Sequence, residues 1–264
     1  MATFYSRPTG TAKLKLAVTG LFLLGGVWRG VAGGPEKNFA ARAEAEFHQA
    51  QNGFQADTGN PTNVWRFARA SFNYAELATN ATVRADVARA GIAACQQFLA
   101  RAPKSAPGHY YLALNSGELA DALAPSMTSY KLVHEIEREF KVAAELDEKL
   151  DFAGPARCLG LLYRDAPGWP VSIGSKRKAR EWLDRAAALA PEYPENQLNL
   201  AETYLQWHQR DDARKFLEKL DAVWPVAQTN FTGTILEKDW QDWATRRETV
   251  RTELNRISSP KSGR

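Results

Sequence analysis

The stretch "RDAPGWPVSIGSKRKAREWLDRAAALAP", Arg164 to Pro191, holds the residues of this chain best suited to chemistry. Gly168 and Gly174 stand near Ser175 and a run of bases, Lys176, Arg177, Lys178 and Arg180, ahead of a helical pattern. Backbone amides at a helix N-terminus bind anions readily. A P-loop, however, needs G-x4-G-K-[ST], so that its amides wrap the phosphates and its lysine reaches them. Here the glycines are separated by five residues, the serine precedes the lysine, and Pro167 and Pro170 each delete an amide donor. No strand pattern precedes the loop. The nucleotide reading fails. What remains is a solvated helix face, with an anion- or acidic-partner-facing patch as the sharper alternative.

Other chemistry has no nominee. His48, His109, His134 and His208 never fall at a metal-ligand spacing, and two cysteines cannot make a zinc cage. His109 is expected to be packed or hydrogen-bonded. Cys95 and Cys158 read as small buried apolar residues. "HEIEREFKVAAELDEKLD" alternates acids with bases and reads as a solvated face. Asn80 and Asn230 head short N-x-T acceptor patterns with a high chance rate. There is no G-x-S-x-G elbow. No enzyme, metal or cofactor is expected.

Charge narrows the partner. The whole chain has a formal net charge of +4, but Arg7, Lys13, Lys15 and Arg29 lie in the first 33 residues, which contain no acid. The remainder carries 30 bases and 30 acids, so its basicity is no nucleic-acid footprint. The leader itself has a basic start, an apolar run from Leu16 to Trp28, and small residues at Ala32 and Gly33. This is the plan of a secretory signal peptide, and the run is shorter than the roughly 20 residues of a spanning helix. Export to a periplasm is expected, with an uncleaved membrane anchor as the alternative.

Past the leader the pattern is helical, with apolar residues every three or four positions from Phe39 to Phe54 and again through Trp65, Ala68, Phe72 and Ala75. "KAREWLDRAAALAP" aligns with "DARKFLEKLDAVWP": Ala179 falls on Ala213, Leu183 on Leu217, Ala186 on Leu220 and Pro191 on Pro225. The offset is 34 residues, the period of a tetratricopeptide repeat (TPR). Leu159, Gly160 and Tyr163 repeat as Leu200, Ala201 and Tyr204, the small residue allowing a close helix crossing. The prolines are expected to stop their helices. Tyr163 and Tyr204 are 41 residues apart, so seven extra residues lie inside the Gly154–Pro191 pair. Pro167 should end one helix there and Ser175 cap the next. Trp169 is expected to fold back on its own repeat, the alternative being presentation to a ligand.

The sequence thus predicts an all-α, TPR-like right-handed superhelix, a solenoid of antiparallel helix pairs with a C-terminal capping helix. The pairs are placed at 62–103, 107–148, 154–191 and 195–225. The domain plan is a signal peptide or anchor at 1–33, an N-terminal helix at 34–60 and repeats at 61–225. A cap follows at 226–258, striped by Trp240, Trp243, Val250, Leu254 and Ile257, then a disordered tail at 259–264.

"VWRFARASFNYAELA", "GHYYLALNSGELA" and the "AGPARCLGLLY" hairpin with its long Ala-Pro…Gly loop resemble a divergent TPR group. That group includes the T-component proteins of TRAP transporters and the regulators of microtubule dynamics. The resemblance covers about Val64 to Pro225 and implies an all-helical, non-catalytic scaffold, exported in the bacterial T-component case. No lipid-anchor cysteine follows the leader here.

Repeat counting places Gly154, Arg157, Leu161 and Arg164, then Glu195, Leu198, Glu202 and Leu205, on the groove. With Trp169, Lys176 and Arg177 they form the expected contact set for a protein or peptide. The competing assignment makes Leu161, Leu198 and Leu205 core, with the charges solvating a rim. A periplasmic solute-binding accessory of a TRAP-type system is the alternative function.

Overall fold

The computed structural model describes residues 38–256. The leader, Ile257 and the tail lie outside the described residues. Among the described residues the fold is all-α, with ten helices and a three-residue 3-10 turn. They pack as two units, 38–139 and 140–256.

The first unit contains α1 (Phe39–Ala56), α2 (Pro61–Leu77), α3 (Ala81–Leu99), α4 (Ala106–Ala122) and most of α5 (Met127–Leu146). Side chains of Asn38, Asn60, Asn80 and Ser105 accept backbone N–H bonds at the starts of α1 to α4, satisfying otherwise orphan donors. Asn80, the first glycosylation candidate, is therefore a helix cap. Helix α2 packs against α1, α3 and α4. Gly91 of α3 allows the close approach of α4, since a Cβ there would lie 2.5 Å from Asn115 Oδ1. His109 is bonded on both nitrogens, to Glu139 Oε2 at 2.5 Å and the Pro103 carbonyl at 2.9 Å. Glu139, read as part of a solvated face, is buried by that partner.

The second unit holds α6 (Gly154–Asp165), α7 (Lys176–Leu189), α8 (Pro194–Gln206), α9 (Arg210–Asn230) and α10 (Glu237–Arg256). Each neighbouring pair is in contact, and α10 lies on α8 and α9. Gly160 makes the close crossing expected of the repeat, against Leu183 of α7: a Cβ would stand 2.5 Å from Leu183 Cγ. The α6–α7 connection spans 166–175, ten residues, whereas α8–α9 takes three, so the seven-residue insertion lies wholly in that loop.

One helix end differs from expectation. Pro191 follows the end of α7, but Pro225 lies inside α9, which continues to Asn230. Pro225 is exposed, while Trp224, Ala227 and Phe231 beside it are buried. Their burial holds the last turns on the core, and solvent can reach the side from which proline removed a donor. Both cysteines are buried and free, and burial pushes the Cys95 thiol up to about 12.

Candidate partner-binding site

The repeat count put Arg157 in a groove, and the structure buries it completely. Its origin is a turn with no glycine signal: Asp151, Phe152 and Ala153 all have positive φ, 52°, 51° and 64°. Left-handed backbone costs roughly 1–2 kcal/mol per residue for L-amino acids. The turn aims the Asp151 and Phe152 carbonyls at the Arg157 guanidinium, which donates to them at 3.3 and 3.1 Å. Arg157 also donates to Asn196 Oδ1 and Asp151 Oδ2, and its guanidinium lies 5.1 Å from the Tyr193 ring centroid. Such a side chain ties α6 to α8 from the interior.

The network continues across α8. Glu195, also buried, faces Arg157 at 3.6 Å and Arg246 of α10 at 3.4 Å. Burial raises the Glu195 carboxyl above its ordinary value, against the pull of Arg157 and Arg246. Arg246 grips Glu202 through two bonds of 2.8 and 2.6 Å, donates to Asn199 Oδ1 at 2.6 Å, and reaches Asp242 at 3.3 Å. The α8 face assigned to a ligand is thus occupied by the chain's own helix α10. Trp243 seals it, fully buried against Tyr193 with ring centroids 5.2 Å apart.

The predicted contact set therefore divides. Arg157, Leu161 and Leu198 are buried and are corrected to interior positions. Their helices are covered by the 151–153 turn and by neighbouring helices, which a count within one repeat cannot see. Glu202 is held by Arg246, and Leu205 is partly buried against the core. Arg164 pairs with its neighbour Asp165 and donates to Thr203. None of these six forms an open recognition face.

The loop and the start of α7 are more exposed. Trp169 is 89% exposed, contrary to the expectation that it folds back, and Val171 is 63% exposed. They stand on a tied backbone. Val171 and Ser172 N–H both donate to the Gly168 carbonyl, Gly174 N–H to Pro167, and Ser175 N–H to Tyr163. Gly174 permits this, because a Cβ would fall 2.0 Å from the Ala166 carbonyl oxygen. These amides are used internally, so none of the four is offered to a phosphate. Ala166 is extended before Pro167 and Ser175 caps α7, accepting from Lys178 N–H at 3.3 Å.

Behind the knob, bases ride on aromatic faces. Lys176 Nζ lies 5.7 Å from the Trp207 centroid, Lys178 Nζ 4.8 Å from that of Tyr163, and Arg180 spans Tyr204 and Trp207. Arg177 pairs with Glu181 four residues on. The ammonium and guanidinium groups are held by ring quadrupoles without losing solvent contact. The unit thus carries an exposed indole on the loop and aromatic-held cations on the helix that follows it.

Among the described residues no group of three or more His, Cys, Asp or Glu could hold a metal. No described helix is long and apolar enough to cross a membrane.

Residues 37–153 match the family model of the regulator of microtubule dynamics proteins 1-3, in line with the resemblance read from the sequence. The match ends before α6, so the two hairpins with the clearest 34-residue repeat lie beyond it. No curated protein matches the chain. A crystal structure of MamA superposes with a TM-score of 0.49 and 14% identity, covering 74% of this chain and 99% of that one.

Proposed function

We propose that this chain is an exported, non-catalytic TPR-like scaffold that binds a protein partner through the Trp169 knob. The carrying observation is the 89% exposure of Trp169 on a loop whose backbone is fixed by its own hydrogen bonds. A rigid aromatic loses little entropy on docking, and tryptophan is enriched among residues that dominate interfaces. Val171 extends the apolar contact, and Lys176 and Arg177 give it a basic rim suited to carboxylates. Export is supported by the order of base, apolar run and small residues in the leader. The solute-binding alternative calls for an enclosed cavity.

A photoreactive phenylalanine analogue at position 169, in the chain expressed in its own cells, tests the reading. A discrete protein adduct is expected from position 169 and none from exposed Glu192. Absence of any protein adduct at 169 overturns it. N-terminal sequencing of the fractionated chain tests export, with cleavage near Gly33 expected.

A further inference from the structure

Between α7 and α9 runs an open groove of about 410 Å³, lined by Pro191, Phe216, Val223 and three alanines. Asp184, Lys219 and buried Gln197 are its polar members. Val226, 57% exposed and one turn beyond Val223, continues the apolar strip along α9.

The two helices carry a surplus of positive charge. Arg177, Arg185 and Arg214 are paired with Glu181, Glu148 and Asp211, and Asp221 is held by α10. Lys176, Lys178, Arg180, Arg210, Lys215 and Lys219 make no ion pair among the described residues. Only Asp184, Asp212 and Glu218 of these helices are unpaired acids, three against six bases. Arg180, Lys215 and Lys219 all act on Asp184, so a single carboxylate faces three cations at the groove. Lys219 Nζ rests 4.7 Å from the Phe216 centroid, which holds an ammonium beside the apolar lining. These three bases precede the alanines and valines of their helices, and α7 and α9 are the second helices of successive hairpins. The groove is therefore basic toward one end and apolar toward the other.

We propose that the α7–α9 groove binds a short acidic and apolar segment of a partner protein. Its apolar side chains lie on Ala188, Ala222 and Val223, and its carboxylates turn toward Arg180, Lys215 and Lys219. From Lys215 to Val226 the helix rises about 16 Å, a span that about five extended residues cover. The interspersed acids suit a few carboxylates and not the continuous phosphate backbone of a nucleic acid. Trp169 does not line the groove, so this site goes beyond the knob proposed above and can exist without it.

Fluorescence anisotropy on the full chain tests this. The probe is a labelled peptide with a block of leucines and a block of glutamates, made in both orders. One control replaces glutamate by lysine, the other leucine by serine. One order of the probe should bind at least tenfold tighter than both controls, and added salt should weaken it. Ala222→Trp, which fills the apolar end, and the pair Lys215→Glu with Lys219→Glu should each weaken binding at least tenfold. Trp169→Ala should leave it unchanged. All four positions are exposed, so circular dichroism should show unchanged folding. No probe binding, equal binding of the lysine control, or binding indifferent to Ala222→Trp overturns the proposal. Loss of binding in Trp169→Ala puts the probe on the knob and overturns it too. So does a concentration-dependent dimer that Ala222→Trp abolishes, since the occupant is then a second copy. Failure here leaves the photo-adduct test of Trp169 untouched.

Discussion

At the scale of the residue, the decisive side chains are the buried ions of the second unit. Removing one member of a buried pair strands the other, at a cost of about 3–5 kcal/mol. Arg157→Ala should lose that much in urea unfolding, since it also releases the carbonyls of a left-handed turn. Arg246→Met should lose less, since Glu195 keeps Arg157 and Glu202 is only partly buried, and its deficit should depend on pH. Burial sets the folded-state Glu195 carboxyl above its unfolded value, so the folded state binds the proton more tightly. Stability then falls as pH rises from the unfolded toward the folded pKa, and recovers as pH drops through that window. Without Arg246 one counter-charge is gone and the shift grows. Urea melts in mildly acidic and neutral buffer should show the smaller Arg246→Met deficit on the acidic side, and equal deficits would refute the account.

At the scale of the element, two glycines have opposite consequences. Gly160→Ala puts a methyl 2.5 Å from Leu183 Cγ and 3.0 Å from the Leu183 amide nitrogen, where the backbone cannot yield cheaply. Overpacking of this kind costs about 1–3 kcal/mol, and thermal unfolding should report it. Gly174→Ala instead collides with the Ala166 carbonyl and reshapes the knob, so partner cross-linking from position 169 should fall even in a chain that remains folded. Trp169→Ala should leave stability within about 0.5 kcal/mol of the parent, as exposed positions do, while removing the contact. Helix α10 is tied to α9 as well as α8: Asp221 accepts from both Arg247 and Arg251, and Arg247 lies 4.3 Å from the Trp224 centroid. The described residues of its apolar stripe pack against the unit's own core.

At the scale of the whole molecule, the bases and acids beyond residue 33 balance, so a chain beginning at Gly34 should focus well below the pI of 9.0 of the full sequence. It should also show no salt-sensitive retention on DNA. Retention that weakens with added salt would instead reveal a basic face that the balanced total conceals.

What the sequence determined by itself is what short-range physics controls. Apolar spacing fixed the helices, Ser175 and Pro167 fixed the ends of the long loop, and the 34-residue offset located the insertion inside one hairpin. Gly160 was legible as a close crossing because the small residue recurs at its repeat position, but Leu183 as its contact was not. The recognition surface was not legible in the same way. Whether α8 faces solvent depends on Arg246, 44 residues beyond Glu202, and no periodicity links those two positions. The turn at 151–153 carried no signal either, since its left-handed backbone uses no glycine and is held by Arg157 and Asn196 from elsewhere. Burial of a charge is decided by what returns to cover it, and only the tertiary structure brings those groups together.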